Sequence, residues 1–175
     1  EYTNGRIHFP FISCEKSLNM IRKAKKNGLK VTCGVSIAHL IFTDDSLFSY
    51  NPNFKLQPPL RSKTDREALR KGLLDGSIDL VSSMHEPVNI EYKKVEFSKA
   101  IDGSISLESF FGMLNSIFTL EKTVSFLTKG KDLFNIEKSM IEIGKKASIT
   151  MFCPNTTYEF KEKHILKKKK NCAFI

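Results

Sequence analysis

An alternation of apolar runs and helical patterns is the feature that most constrains the fold of this 175-residue chain. Residues 6–13 form a compact apolar run, and residues 17–27 place apolar side chains at helical spacing before Gly28. Residues 29–36 (LKVTCGVS) are nearly continuously apolar, which is typical of a strand buried on both faces. A strand, a helix and a second strand in this order predict a parallel β-α-β unit.

The alternation continues after a long polar segment. Residues 37–59 are rich in turn-forming residues, and a loop of this length is usually functional. The Thr-x-x-Glu pattern of Thr64 and Glu67 predicts the start of a helix, and residues 78–82 predict a third strand. Parallel strands joined by helices predict an open sheet or an arc of a (β/α)8 barrel, which three strands alone cannot close.

The C-terminal part of the chain has a different pattern. Apolar residues at helical spacing continue through residues 106–128. Residues 147–152 and 158–160 then flank a Cys-Pro-Asn-Thr turn, which predicts a hairpin. We therefore expect a partial α/β barrel over residues 1–140 and a small β element over residues 141–175.

Composition excludes several classes of protein. With 41% hydrophobic and 27% charged residues, the chain is too apolar to be mostly disordered, and no apolar run approaches the ~20 residues of a membrane-spanning helix. Its net charge is +9, but residues 161–170 alone carry six lysines and one glutamate. Such a run favours a solvated edge or tail, so we expect neither a membrane nor a nucleic acid as partner.

The four cysteines form no C-x-x-C pair, and each lies next to apolar or β-favouring residues. This pattern favours small buried thiols in a reducing, cytoplasmic environment. The chain begins at Glu1 and not at methionine, so we expect a processed chain or part of a longer one.

Three separated segments carry a resemblance to a known family. They are GLKVTCGVSIAHL (residues 28–40), QPPLRSKTDREALRKGLLDGSIDLVSSMHEP (residues 57–87) and KAIDGSISLES (residues 99–109). In order and spacing they resemble the C-terminal half of the class I dihydroorotases of the amidohydrolase superfamily. The later IEIGKKASITMFCPN (residues 141–155) is similar to that family's return into its small β-sandwich.

The resemblance implies a fold and a chemistry. The fold is α/β, the C-terminal portion of a (β/α)8 barrel of the TIM type together with a small β-sandwich element. The activity is the reversible cyclisation of carbamoyl aspartate to dihydroorotate in pyrimidine biosynthesis. It uses zinc held by histidines, a carboxylate or carboxylated lysine, and a final aspartate. The early ligands lie upstream of Glu1, in the other half of the barrel.

Two positions at which the family binds zinc carry other residues here. The family's His-x-x-His-x-Ser-Thr corresponds to residues 8–14, with Phe11 in place of the second histidine. The family's Ser-x-Asp-His-Ala-Pro-His corresponds to residues 82–88, with Met84 in place of the aspartate that also acts as general base. A benzyl ring and a thioether cannot hold a hard cation or relay a proton. We therefore expect no intact catalytic residue, no intact metal ligand and no zinc bound by this chain.

Other positions of the resemblance concern contacts with substrate. Val88 replaces a histidine that contacts the substrate. Gln57 stands at the family's substrate-binding asparagine, and Asp102 and Gly103 lie where the family offers backbone contacts. We expect Gln57, Asp102 and Gly103 to retain a polar binding surface.

Three further residues are expected to support the fold. His8 and His39 fall on histidines of the family that do not bind metal, so we expect structural roles for both. Arg61 is expected to anchor its loop through a carboxylate or carbonyl groups. Neither His85 nor Glu86 is expected to take over from Met84, because the chain turns here and Pro87 follows.

The expected function is that of a dihydroorotase-like amidohydrolase with little or no turnover of its own. One alternative is a non-catalytic scaffold for aspartate transcarbamoylase. Another is an active enzyme that has rebuilt its site from upstream residues, and a third is a related cyclic amidase of the hydantoinase or allantoinase type. We expect a homo-oligomer that also contacts the upstream half of its own barrel.

Overall fold

A parallel sheet forms the centre of the molecule. The computed structural model describes residues 4–138, 140–166 and 170–175. Three strands pair in chain order, namely β1 (Ile7–Phe9), β2 (Val31–Ser36) and β3 (Leu80–Ser82). Both pairings are parallel, with Ile7 opposite Val31 and Gly34 opposite Leu80. The prediction of an α/β fold with parallel strands is confirmed.

Helices connect and cover the strands. Helix α1 (Glu15–Lys26) joins β1 to β2, and a short α2 (Ile37–Ile41) follows β2 directly. The remaining α-helices of the described residues are α3 (Lys63–Leu74), α4 (Phe110–Ile117), α5 (Leu120–Thr128) and α6 (Gly130–Leu133). Short 3-10 helices lie at Asp44–Ser49, Pro52–Phe54, Ile90–Tyr92 and Glu162–His164.

The hydrophobic core surrounds β2. Cys33 and Val35 of this central strand are fully buried, as expected of a strand covered on both faces. The largest fully buried apolar side chains are Leu18, Ile37, Leu40, Leu69, Ile78, Ile105 and Leu114. Burial raises the pKa of the Cys33 thiol to about 11, and the negative charge of Asp79 adds to this effect. The expectation of buried thiols is wrong for Cys153, which is exposed.

Strand β1 is shorter than predicted. It ends at Phe9 because Pro10, which has no N–H, follows. The chain nevertheless stays beside β2, since the Ile12 N–H donates to the Gly34 carbonyl over 2.9 Å. A Cβ on Gly34 would lie 2.6 Å from the Pro10 oxygen, so this approach requires glycine.

Helix α3 begins earlier than the Thr64 and Glu67 pattern predicted. Its N-cap is Ser62, whose hydroxyl accepts from the Asp65 N–H over 3.2 Å and donates to an Asp65 carboxylate oxygen over 2.7 Å. The other Asp65 oxygen accepts from the Glu15 N–H over 2.9 Å. The pattern formed by Ser62 and Asp65 overlaps the predicted pattern of Thr64 and Glu67. The helix begins at Ser62 because the Asp65 carboxylate then also accepts a hydrogen bond from a backbone N–H in the first turn of α1.

The segment of residues 37–59 is not the uninterrupted loop that was predicted. It contains α2 and two of the 3-10 helices. Helix α2 forms because the Ser36 hydroxyl accepts from the His39 N–H over 3.4 Å, which is the usual role of an N-cap serine.

The predicted hairpin does not form in the described residues. Residues 147–160 contain a turn, in which the Thr156 N–H donates to the Cys153 carbonyl over 3.4 Å, but no strand. Ile149 and Met151 are 68% and 95% exposed. A pair of short strands is stable only when a further sheet or helix covers one of its faces, whereas Ile149 and Met151 are largely exposed here.

The basic C-terminal part of the chain is described only in part. Lys167, Lys168 and Lys169 of the predicted lysine run lie outside the described residues. Lys170 donates to the carbonyls of Glu162 and Ile165 over 3.1 and 3.2 Å. Among the helices that the structure describes, none is both long and apolar enough to cross a bilayer.

Candidate functional site

The carboxyl ends of the three strands lie at one edge of the sheet, because the strands are parallel. Phe11 follows β1, Ser36 ends β2 and is followed by His39, and Met84 follows β3. We refer to this edge as the strand-end site. It is the place where α/β folds of this kind carry their chemistry.

Met84 adopts a backbone conformation that suits few side chains. Its φ is +51°, in the left-handed region that asparagine, aspartate and glycine tolerate best. The Met84 N–H donates to the Ser82 hydroxyl over 3.2 Å, and the side chain packs partly buried against the core. The backbone at this position is therefore better suited to an aspartate than to the methionine that occupies it.

His39 is bound on both sides of its ring. It is 2% exposed. Its Nε2 lies 3.1 and 3.2 Å from the carbonyl oxygens of Pro58 and Pro59, so this nitrogen carries the proton and donates. Its Nδ1 then accepts from the Ser36 hydroxyl over 2.6 Å. Burial lowers the pKa of the His39 imidazole, so the ring stays neutral and both its nitrogens serve the fold.

His8 lies near the opposite end of the sheet. Its Nδ1 is 2.8 Å from the Thr32 hydroxyl, and its ring meets the edge of Phe134 with centroids 5.4 Å apart. Burial lowers the pKa of the His8 imidazole, and the charge of Asp79 opposes this shift only in part.

His85 and Glu86 are also engaged within the protein. His85 Nδ1 accepts from the Leu107 and Ser106 N–H groups over 3.1 and 3.3 Å, so that nitrogen has no lone pair left for a metal. Glu86 is exposed and its side chain lies against Gly103, where a Cβ would come within 2.9 Å of Glu86 Cγ. Neither side chain is arranged as a substitute for an aspartate at position 84.

Gly103 has a backbone that is already hydrogen-bonded. Its N–H donates to the Lys55 carbonyl over 2.9 Å, and its carbonyl accepts from Asn171 Nδ2 over 3.3 Å. Gln57 is exposed, and its side chain makes no hydrogen bond within the described part of the chain. Asp102 is half-buried and acts electrostatically on Lys93. Substrate binding by Gln57, Asp102 and Gly103 stays a prediction.

Arg61 is exposed beside the start of α1. Its Nε donates to the Ser13 hydroxyl over 3.5 Å, which is not the carboxylate or carbonyl partner that we expected. Its positive charge also acts on Asp65. The pKa of the Asp65 carboxyl is lowered although its partial burial works in the opposite direction, because Ser62 and the Glu15 N–H donate hydrogen bonds to it.

Two lysines that sequence reasoning missed join the loops after β2 and β3. Lys93 is 4% exposed and donates to the Pro52 carbonyl over 2.9 Å. Burial lowers the pKa of its ammonium group to about 8, although the charges of Asp102 and Glu86 oppose this. Lys55 donates to the Ala100 and Ser98 carbonyls over 2.7 and 2.9 Å. No local pattern marks either lysine as buried or bridging.

Asn171, also missed, organises the loop after β3. It is fully buried. Its side-chain oxygen accepts from the Val88 N–H over 3.0 Å, and its side-chain nitrogen donates to the Glu86 carbonyl over 3.0 Å. Its own carbonyl accepts from the Ile105 N–H over 2.7 Å. The site loop is thus held in place by a residue that lies more than 80 positions away in the chain.

The residues present do not fit a zinc ion. Within residues 4–138, 140–166 and 170–175, no group of three or more His, Cys, Asp or Glu side chains could hold a metal. Phe11 offers no donor atom and Met84 offers only a soft thioether. His39 and His85 use ring nitrogens to bind the chain itself. No step of a reaction can therefore be assigned to a metal held by these residues.

Comparison with solved structures places the fold among the amidohydrolases. L-Hydantoinase from Arthrobacter aurescens matches 83% of this chain with a TM-score of 0.71 and 25% identity, over 35% of its own length. Dihydroorotase from Saccharomyces cerevisiae, in complex with 5-fluoroorotic acid, matches 75% of this chain with a TM-score of 0.64 and 19% identity. Both neighbours are TIM-barrel amidohydrolases.

Comparison with curated proteins is more specific. Dihydroorotase from Endomicrobium trichonymphae is 35% identical over all of this chain, and dihydroorotase from Bacillus cereus is 38% identical over 99% of it. The chain spans 43% and 42% of the lengths of these relatives. No family model matches the chain. The predicted resemblance is confirmed: this is a dihydroorotase-like chain that corresponds to the C-terminal part of its relatives.

Proposed function

We propose that this chain forms the C-terminal portion of a (β/α)8 barrel in a dihydroorotase-like amidohydrolase that turns over little or no dihydroorotate. The observation that carries the proposal is the pair Phe11 and Met84, which follow β1 and β3 at the strand-end site. They stand where the related family has a metal-binding histidine and a catalytic aspartate. Neither side chain can accept a proton from water, and neither can balance the charge of a divalent cation.

Exposed apolar residues at the flanks of the sheet support a partial barrel. On β1, Ile7 and Phe9 are 49% and 43% exposed. On α5, Leu120, Val124 and Leu127 form a stripe at helical spacing and are each more than a third exposed. Parallel sheets are normally covered on both faces and continued at their edges. The upstream half of the barrel, as found in the relatives, is the partner that would cover these surfaces.

The segment from residue 141 onward fits the same proposal. Ile141, Ile143, Ile149 and Met151 are all more than half exposed and occur in pairs two residues apart. This spacing places each pair on one face of an extended strand. We propose that residues 141–160 complete a small β-sandwich with strands from the upstream part, whereas residues 1–140 belong to the barrel. Residues 171–174 pack against the barrel portion.

A non-catalytic role follows from the missing chemistry. The chain keeps the polar contacts that hold its loops, among them those of His39 and Asn171, and lacks the side chains that would react. We propose that it supports a partner enzyme of pyrimidine biosynthesis, with aspartate transcarbamoylase as the partner that the family resemblance suggests. Co-purification of the two proteins, with Bacillus cereus dihydroorotase as the comparison protein, tests this part of the proposal.

Zinc content and turnover test the proposal about catalysis. The complete polypeptide that carries this chain is purified in parallel with Bacillus cereus dihydroorotase. Zinc per chain and hydrolysis of dihydroorotate are then measured for both. We expect only traces of zinc and of activity in the former. Chelator-sensitive hydrolysis at a rate comparable to that of the Bacillus enzyme would refute the proposal, because the site would then have been rebuilt from other residues.

A further inference from the structure

A cavity of about 530 Å³ lies between the start of α4 and residues 152–160. Phe111 and Phe152 connect these two segments, with ring centroids 4.7 Å apart. One water molecule occupies roughly 30 Å³, so the cavity has room for a whole side chain. We call it the Glu108 cavity, and its walls include Glu108, Phe111, Asn115, Phe152, Tyr158 and Phe160.

Two polar atoms of the Glu108 cavity are buried without a partner. The side chain of Glu108 is only 13% exposed, and its Oε2 makes no hydrogen bond within the described residues. The side-chain oxygen of Asn115 is likewise buried and accepts no hydrogen bond from that part of the chain. Burial of a carboxylate is costly unless a cation or a hydrogen-bond donor accompanies it. The cavity therefore requires a donor from elsewhere.

His85 does not supply this donor. Its Nδ1 lies 3.9 Å from Glu108 Oε2, which is too far for a hydrogen bond. The same nitrogen already accepts from the Ser106 and Leu107 N–H groups, so it carries no proton to donate. Among the described residues, no lysine or arginine lies within ion-pair distance of Glu108 either.

Glu108 lies where the rest of a barrel would meet this chain. Strand β3 is at one edge of the sheet, and the Ser106 hydroxyl holds the segment before Glu108 at the end of that strand, donating to the Ser83 carbonyl over 2.6 Å. In a closed barrel the last strand pairs with the first. The chain corresponds to the C-terminal 42–43% of its relatives, so the first strand belongs to the upstream part.

We propose that an arginine of the upstream part enters the Glu108 cavity and pairs with the Glu108 carboxylate. A guanidinium group is permanently charged and has several N–H donors, so it can also serve the Asn115 oxygen. Its planar face packs well against aromatic rings such as those of Phe111 and Tyr158. This inference rests on the proposed function only in that the chain is part of a barrel, and it names the contact that joins the two parts.

A crystal structure of the complete polypeptide tests the proposal directly. We expect a guanidinium group from upstream of Glu1 at about 3 Å from Glu108 Oε2. Urea denaturation of Glu108→Gln, which keeps the size of the side chain and removes its charge, provides a second measurement. We expect its equilibrium constant of unfolding to rise roughly 100-fold, because a buried arginine loses its partner. The matched control is Glu121→Gln, an exposed carboxylate on α5, which should leave the constant unchanged.

A double-mutant cycle distinguishes a pair from a merely structural role of Glu108. Replacement of the arginine by methionine should destabilise the parent much more than it destabilises Glu108→Gln, since paired groups do not act independently. Additive effects of the two changes would overturn the proposal, and so would a Glu108→Gln variant as stable as the control.

The crystal structure also separates failure of this inference from failure of the proposed function. If no upstream strand lies at the free edge of β3, both the arginine pair and the barrel are wrong. If an upstream strand lies there but a lysine, a backbone N–H, a water molecule or a small molecule faces Glu108, only the arginine pair is wrong.

Discussion

The carboxyl ends of β2 and β3 lie at the same edge of the sheet, but the residues that follow them differ in their hydrogen bonds and backbone conformation. After β2, Ser36 and His39 form a closed polar network in which every ring nitrogen has a partner. After β3, Met84 places a thioether on a left-handed backbone that suits aspartate better. The polar groups of Ser36 and His39 bind the chain to itself, whereas Phe11 and Met84 at the same edge of the sheet are apolar. If catalysis has been lost, as we propose, the scaffold of the strand-end site has nevertheless been kept.

The largest effect is expected from breaking the network after β2. His39→Leu leaves the Pro58 and Pro59 carbonyls and the Ser36 hydroxyl without their buried partner. We expect a loss of about 3 kcal/mol in the free energy of unfolding, measured by urea denaturation. The matched variant His39→Gln keeps one N–H donor and should lose less. Equal stability of His39→Leu and the parent would show that the network contributes nothing.

Because of His39, the stability of the protein should also decrease as the pH falls. Its folded pKa lies below the usual value, so as the pH falls below about 6.5 the unfolded chain takes up the proton first. Stability from this group is present above that pH and is lost as the pH falls toward the folded pKa. The His39→Gln variant should show a shallower decline in stability than the parent as the pH falls below about 6.5.

Much of the region around β2 was predictable from sequence, and much of the loop after β3 was not. The three strands followed from continuous apolar runs, and α1 and α3 from helical spacing, because both signals are local. Lys93 and Asn171 gave no such signal. Their importance arises from contacts with Pro52 and Val88, which are distant in the chain. The overlap of two capping patterns at Ser62 and Thr64 was resolved by Asp65, whose contact with α1 is also non-local.

The next largest effect is expected where the loop after β3 needs glycine. Gly103 has a φ of +117°, and a Cβ there would lie 2.9 Å from Glu86 Cγ. Gly103→Ala should cost about 2 kcal/mol in the free energy of unfolding. The double variant with Glu86→Ala should recover only the part due to contact, because the backbone strain remains. If the double variant were as stable as the parent, the whole loss of stability would come from the contact with Glu86 and none from the backbone.

Removal of the buried lysine is expected to stabilise the loop after β3. Below pH 8 Lys93 is charged in both states, and its burial costs free energy only in the folded state. Between pH 8 and about 10.5 only the unfolded chain retains that proton, so stability from this group rises with pH. Lys93→Met should add about 1 to 2 kcal/mol at pH 7 and remove this rise. A lower stability at pH 7 would show that the bond to Pro52 outweighs the cost of burial.

The smallest change in stability is expected from substitution of Met84, the residue that most distinguishes the end of β3 from the end of β2. Met84→Asp loses some packing against the core but places a residue that tolerates a φ of +51°. The two effects oppose each other, so the free energy of unfolding should change by less than about 1 kcal/mol.

The Met84→Asp variant should also show no activity, because a carboxylate at position 84 still lacks the ligand that Phe11 cannot supply. The double variant Phe11→His with Met84→Asp is made in the complete polypeptide, where upstream residues can supply the remaining ligands. We expect zinc uptake by the double variant and not by either single variant. Hydrolysis of dihydroorotate by Met84→Asp alone would mean that Phe11 does not stand at a required ligand position.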